Sequence, residues 1–168
     1  DEALRQWLGA ALPALRARRH RGVVVLAGPA DWGRAVAAEL AAAGDGDGLW
    51  VGDSEAASGM AHCVGADARQ WLGRNLSLIV WDSHAGTHPA GLGAVSGALV
   101  GGGLLVWLVP PLAEWAHGVD PDYDRLRHHA PPYRFLERMA RLLGRAAVQP
   151  SNALVTPDSV QALPPEQP

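Results

Sequence analysis

A chain of 168 residues with 48% hydrophobic residues has room for one domain with a sizeable core, and its apolar runs all stop short of the roughly 18 residues that a membrane-spanning helix needs. The net charge of −3 speaks against generic nucleic-acid binding, and the lone Cys63 excludes an intrachain disulfide and a multi-cysteine metal site, which makes a reducing cytoplasm the natural compartment. All 14 basic residues are arginine, so every mechanism that requires a lysine is excluded.

The chain opens on Asp1 rather than Met and residues 1–20 have no signal-peptide apolar region, so it reads as a piece of a larger protein. Leu4, Trp7, Leu8, Ala11, Leu12 and Leu15 recur at three- and four-residue spacings, which predicts a helix over 2–19 with a kink or break at Pro13. Val23 to Ala27 is a short, doubly buried strand that turns at Gly28-Pro29. Asp31 is placed to cap a helix from Trp32 to Ala43, which the glycines between Gly44 and Gly48 stop. A second strand is expected over Leu49–Gly52, loop over 53–66, and a short helix from Ala68 to Leu72 capped by Asp67. Leu76 to Trp81 forms a third buried strand ending at Asp82. A loop runs from Ser83 to His88, and a small-residue helix from Pro89 to Val100 is stopped by Gly101-Gly102-Gly103.

Leu104 to Val109 is the longest strand candidate, closed by Pro110-Pro111, with a short helix around Leu112 to Ala116 and a polar loop from Asp120 to Pro132. Helical spacing returns from Tyr133 to Leu143. Five of the last 19 residues are proline, so residues 1–149 are expected to form the domain and 150–168 a proline-rich linker or tail. Continuous apolar strands alternating with helices imply a three-layer, Rossmann-like α/β domain with a mostly parallel sheet flanked by helices. Right-handed crossovers would gather the strand ends at Gly28, Asp82 and Pro110 on one edge, where a ligand site is to be sought.

Known chemistries fit poorly there. The loop Gly28 to Gly33 stands where a nucleotide fold keeps its phosphate loop, but Gly33 is followed by Arg34-Ala35 in place of Lys-Ser/Thr. Asp82 resembles the acid of a magnesium-binding strand but has no phosphate loop to serve, and an Asp at a strand end commonly bonds the next loop. Asp82, His84 and His88 supply three ligand types for a metal in a spacing that matches no specific signature. Ser96 is not in a nucleophile elbow, and Cys63 with the adjacent His62 is poorly disposed as a nucleophile and base pair.

Arginine clusters carry more weight. Arg16, Arg18, Arg19 and Arg21 crowd the end of the first helix with His20, while Arg125, Arg127, His128, His129, Arg134, Arg138, Arg141 and Arg145 crowd the C-terminal third. Two readings stay open: a phosphate-backbone or partner surface centred on Arg16, Arg18, Arg19, Arg21, Arg134, Arg138 and Arg141, or solvated helix faces paired with Asp120, Asp122, Asp124 and Glu137.

A connected pattern runs through Trp71-Leu72-Gly73-Arg74, Leu78 to Gly86, Val95 to Pro110, Glu114-Trp115, Asp120-Pro121-Asp122 and Tyr133-Arg134-Phe135. This resembles the N-terminal domain of the bacterial tRNA(Met) cytidine acetyltransferases, most specifically from Ser96 to Pro110. Ala98 stands where the family pattern leads one to expect threonine. The resemblance implies a multidomain parent that uses ATP with magnesium and acetyl-CoA to acetylate N4 of the wobble cytidine. Its ATP site would lie in a helicase-like module and its acetyl-CoA site in an acetyltransferase module. It assigns no catalytic, cofactor or metal residue to this chain and names tRNA(Met) and the helicase-like module as partners. The alternative is a stand-alone nucleotide- or small-molecule-binding Rossmann-like domain.

Overall fold

The strands follow the apolar runs. In a computed structural model that describes residues 2–44, 47–57, 59–122, 133–146 and 151–162, they are β1 (Gly22–Ala27), β2 (Gly48–Val51), β3 (Ala61–Cys63), β4 (Leu76–Asp82), β5 (Leu99–Val109), β6 (Asn152–Thr156) and β7 (Ser159–Ala162). They form one seven-stranded sheet in the order β3-β2-β4-β5-β1-β6-β7. All neighbours are parallel except the closing β6–β7 hairpin.

Alternation along each strand sends side chains to both faces, and both are covered. On one face α1 (Glu2–Arg18) and α2 (Ala30–Ala42) lie over Val24, Leu26, Trp50, Val80, Val106 and Leu108, with Leu4, Leu8, Ala11 and Leu15 as the buried stripe of α1. On the other, Val25, Ile79, Trp81, Leu105 and Trp107 meet a 3₁₀ helix (Gly65–Trp71), α3 (Pro89–Ser96), α4 (Leu112–His117) and α5 (Tyr133–Ala146). The expected three-layer α/β arrangement is therefore present. Trp107 and Trp115 meet edge to face at 6.2 Å, fixing α4 against β5.

Several local expectations are corrected. Pro13 is exposed and does not break α1, because the apolar stripe holds the helix to the sheet on both sides of it. Neither Asp31 nor Asp67 caps a helix: Pro29 precedes α2, Val64 precedes the 3₁₀ helix, and neither start has a side-chain cap. Within the segment expected as loop, Ala61–Cys63 forms the edge strand β3. The glycine run stops no helix; it lies inside β5, where Leu76 pairs with Leu99 but Leu78 already pairs with Leu104, so the intervening residues bulge out of the ladder.

The largest correction concerns the expected linker. Residues 152–162 are integral to the sheet: β6 pairs with β1 from Val23↔Asn152 to Leu26↔Val155, and Ala153, Leu154 and Val155 are buried. Pro157 follows directly on β6, where the hairpin turns.

Candidate functional site

Parallel pairing gathers the ends of β1, β4 and β5 as expected. The Gly28 amide donates to the Val109 carbonyl at 3.0 Å and the Ser83 amide to the Leu108 carbonyl at 2.9 Å. Asp82 sits at this junction with its side chain 1% exposed. Arg34, one turn into α2, donates Nε to Oδ2 at 2.8 Å; the Ser54 hydroxyl donates to the same oxygen at 3.2 Å and is itself fixed by the Trp50 indole N–H at 3.0 Å. On Oδ1 the carboxylate receives the His84 amide at 3.0 Å and His84 Nδ1 at 2.8 Å.

His84 Nε2 lies 3.0 Å from the Gly28 carbonyl, which only accepts. Both ring contacts are satisfied together only by the doubly protonated ring. Burial alone would raise the Asp82 pKa, but the hydrogen bonds from His84 and Arg34 outweigh it and bring it down from 3.8 to about 2. The strand-end acid thus bonds the next loop and ties β4, β1 and α2 together.

A second carboxylate pair clamps the same loop. Asp120, 3% exposed, takes the Thr87 amide on both oxygens at 3.2 and 3.1 Å and the Asp122 amide at 3.0 Å. Asp122 takes the His88 amide and pairs with His88 Nε2 at 2.9 Å. This holds His88 at φ +42°, a left-handed conformation, with its ring pressed on Gly65, where any Cβ would collide. The Trp81 indole closes the loop on the Thr87 carbonyl at 3.1 Å, and the Trp107 indole reaches the Ser83 hydroxyl at 2.8 Å.

Each candidate chemistry can now be placed. His84 and His88 are held by different carboxylates, so Asp82, His84 and His88 do not converge, and the described residues contain no group of three ligands fit for a metal. Against Gly28 lie the Trp32 ring and Pro157, which fill the space a phosphate loop needs open. The hollow beside Asp82, between Gly52, Gly65 and Gly86, has no room for a water molecule. That hollow therefore has no space for ATP with magnesium or for acetyl-CoA. His62 turns to the Gly52 carbonyl at 2.8 Å, away from its neighbour, and burial, with Asp67 adding to it, raises the Cys63 thiol above its usual pKa. The Ser96 hydroxyl is engaged by the Gly93 carbonyl at 2.9 Å.

The arginines divide between the two faces. Arg16 to Arg21 lie where α1 ends and β1 begins. There the His20 amide bonds the Leu15 carbonyl at 3.0 Å and the Arg19 amide the Arg16 carbonyl at 3.2 Å, a Schellman stop with Arg19 in the left-handed position at φ +54°. Arg21 Nε donates to the Leu99 carbonyl at 2.6 Å, and neither Arg16 nor Arg18 is free of contacts. Arg134, Arg138, Arg141 and Arg145 lie exposed on α5, beyond the opposite face of the sheet. Arg125, Arg127, His128 and His129 lie outside the described residues.

Beside α1, a groove of about 660 Å³ opens toward α2, floored by Leu78 and Leu104 and walled by Leu8, Leu12, Val36 and Leu40. Arg5 and Arg16 stand on its α1 side and Glu39 on its α2 side. Sequence reasoning missed Arg34 and Ser54 as partners of Asp82, although Arg34 is the only basic residue of the helix that follows the first strand.

These features define a Rossmann-like α/β domain whose strand-end polar groups are engaged with one another. The family described as tRNA(Met) cytidine acetyltransferase TmcA, N-terminal, matches residues 2–149, and the chain belongs to that family. Similar relatives named tRNA(Met) cytidine acetyltransferase TmcA come from Nitrosococcus halophilus, 32% identical over 85% of this chain and 20% of the relative. Others come from Citrobacter koseri, 34% identical over 74% and 19%, and Haloarcula marismortui, 31% identical over 91% and 21%. The chain thus spans about a fifth of the length of these relatives. No helix among the described residues is long and apolar enough to cross a membrane.

Proposed function

We propose that this domain is the accessory module of a cytoplasmic enzyme that acetylates N4 of the wobble cytidine of tRNA(Met) with ATP and acetyl-CoA. It supports the helicase-like module and contacts the tRNA, while both cofactors bind in other modules of the polypeptide. The observation that carries this reading is the engagement of the strand-end groups with one another: Asp82 is held by Arg34, Ser54 and His84, and Gly28 is covered by Trp32 and Pro157. An edge built this way ties its loops together, with Asp82, Arg34, Ser54 and His84 engaged with one another.

The surface assigned to the helicase-like module is the groove between α1 and α2. Its apolar floor suits an amphipathic helix, and the rims of opposite charge, Arg5 and Arg16 against Glu39, would orient one that is acidic on one flank and basic on the other. Titration calorimetry of the 168-residue chain with ATP–magnesium and with acetyl-CoA tests the reading. No heat of binding is expected at millimolar ligand; micromolar affinity for either would favour the stand-alone ligand-binding domain instead.

A further inference from the structure

The four arginines of α5 recur at 134, 138, 141 and 145. At 100° per residue these positions fall within an arc of about 60°, so the four form one stripe about 17 Å long. All four are exposed, while Leu136, Ala140 and Leu143 on the inner side are buried. None forms a salt bridge with a described residue. Spacings of three and four make neighbours of Arg134 and Arg138, Arg138 and Arg141, and Arg141 and Arg145, and like charges at those spacings destabilise a helix. Glu137 is the only acid of α5. Glu137 stands three residues after Arg134 and four before Arg141, where opposite charges attract, yet four arginines against one acid leave this face positive in a chain of net charge −3.

Charge elsewhere sharpens the contrast. The strand-end edge, where a Rossmann-like domain ordinarily receives an anion, carries Asp31, Asp53, Asp82, Asp120 and Asp122, and its described cations Arg34, His84 and His88 are engaged by those carboxylates. The arginines at the end of α1 are partly committed to the fold: Arg21 holds the Leu99 carbonyl, and the Arg16 side chain lies against Gly102.

We infer that the outer stripe of α5, Arg134, Arg138, Arg141 and Arg145, is an RNA phosphate-backbone rail, and that the turn after α1 is not part of it. This rests on the reading of the chain as the tRNA-contacting module of a tRNA acetyltransferase and narrows it to one surface. The rail takes the ribose-phosphate backbone without reading bases, with a guanidinium on the order of every 5–6 Å to engage roughly one phosphate each.

The test is fluorescence anisotropy of a labelled tRNA(Met) transcript with the 168-residue chain, between 20 and about 200 mM salt. A variant with all four α5 arginines changed to Gln is compared with one carrying Arg18→Gln, Arg19→Gln, Arg69→Gln and Arg74→Gln, which removes the same charge elsewhere. Circular dichroism and thermal melting verify that both are folded. The α5 variant is expected to weaken binding at least tenfold at low salt and to flatten the slope of log K against log salt by about 3, at roughly 0.7–0.9 per lost phosphate contact. The control set should leave the slope within about 1 unit of the unmodified chain, and four Arg→Lys changes on α5 should keep most of it. An unchanged slope in the α5 variant, with loss of binding in the control set, overturns the rail while the tRNA-contact reading stands. Absence of tRNA binding by the unmodified chain at 20 mM salt overturns both.

Discussion

At the end of β4 the fold is tied by side chains, with Asp82 receiving Arg34, Ser54 and His84, whereas near the start of β5 it is tied by main chain pressed on glycine. There the Gly102 amide donates to the His20 carbonyl at 2.7 Å, and the backbones of Arg16 and Arg19 lie where Cβ atoms at Gly102 and Gly101 would be. The first junction answers to protons and to removal of a partner. The second is indifferent to pH and answers only to added volume. Opposite edges of one sheet are thus open to different kinds of damage.

The comparison is broken most forcefully at Asp82. Asp82→Ala leaves the Arg34 guanidinium and the His84 ring without their carboxylate, and a loss of about 3 kcal/mol is expected from urea unfolding. The same junction gives acid sensitivity. With the Asp82 pKa lowered from 3.8 to about 2, its contribution is fully present above pH 3.8 and is lost as the pH falls through about 2. The unmodified chain should therefore shed about 2 kcal/mol more than Asp82→Asn between pH 4 and pH 2. Parallel acid titrations of the two would contradict the account.

At the other edge the expected effects are smaller and independent of pH. Gly102 has φ +92°, and a Cβ there would stand 3.0 Å from both Cα and Cγ of Arg16. Gly102→Ala should cost about 2 kcal/mol by the same urea measurement, equally at pH 4 and pH 7. The smallest effect has the opposite sign. Arg19 occupies the left-handed position that usually takes glycine, so Arg19→Gly should raise stability by about 1 kcal/mol. A loss instead would show that the Arg19 side chain contributes more than its backbone strain costs.

The strands β1 and β4, the Leu104–Val109 part of β5 and the three-layer arrangement were legible because each of these stretches is a continuous apolar run. Ala61-His62-Cys63 was not, since three mixed residues at a sheet edge carry no periodic signal. Asn152 to Thr156 was hidden by prolines on both sides, although Ala153-Leu154-Val155 is apolar; its place beside β1 is a long-range property that no local pattern encodes. The glycine run read as a helix stop because sequence shows the loss of helix propensity but not the approach of α1, which is what the glycines accommodate. At the candidate site the tie between Asp82 and the following loop was foreseen. Arg34 and Ser54 were missed, for they reach Asp82 from other elements, 48 and 28 residues away in the chain.

The place of β6 beside β1 also has a consequence for synthesis. Val23 meets the Asn152 side chain 129 residues later, and Arg21 meets Leu99 78 residues later. At about 5–20 residues per second, Val23-Val24-Val25-Leu26 leaves the ribosome with both edges bare and waits on the order of 6–26 s for its last partner. Until then an apolar strand with at least one open edge is a template for pairing between nascent chains. The local element already made is α1, whose buried stripe is available to shield one face of that strand.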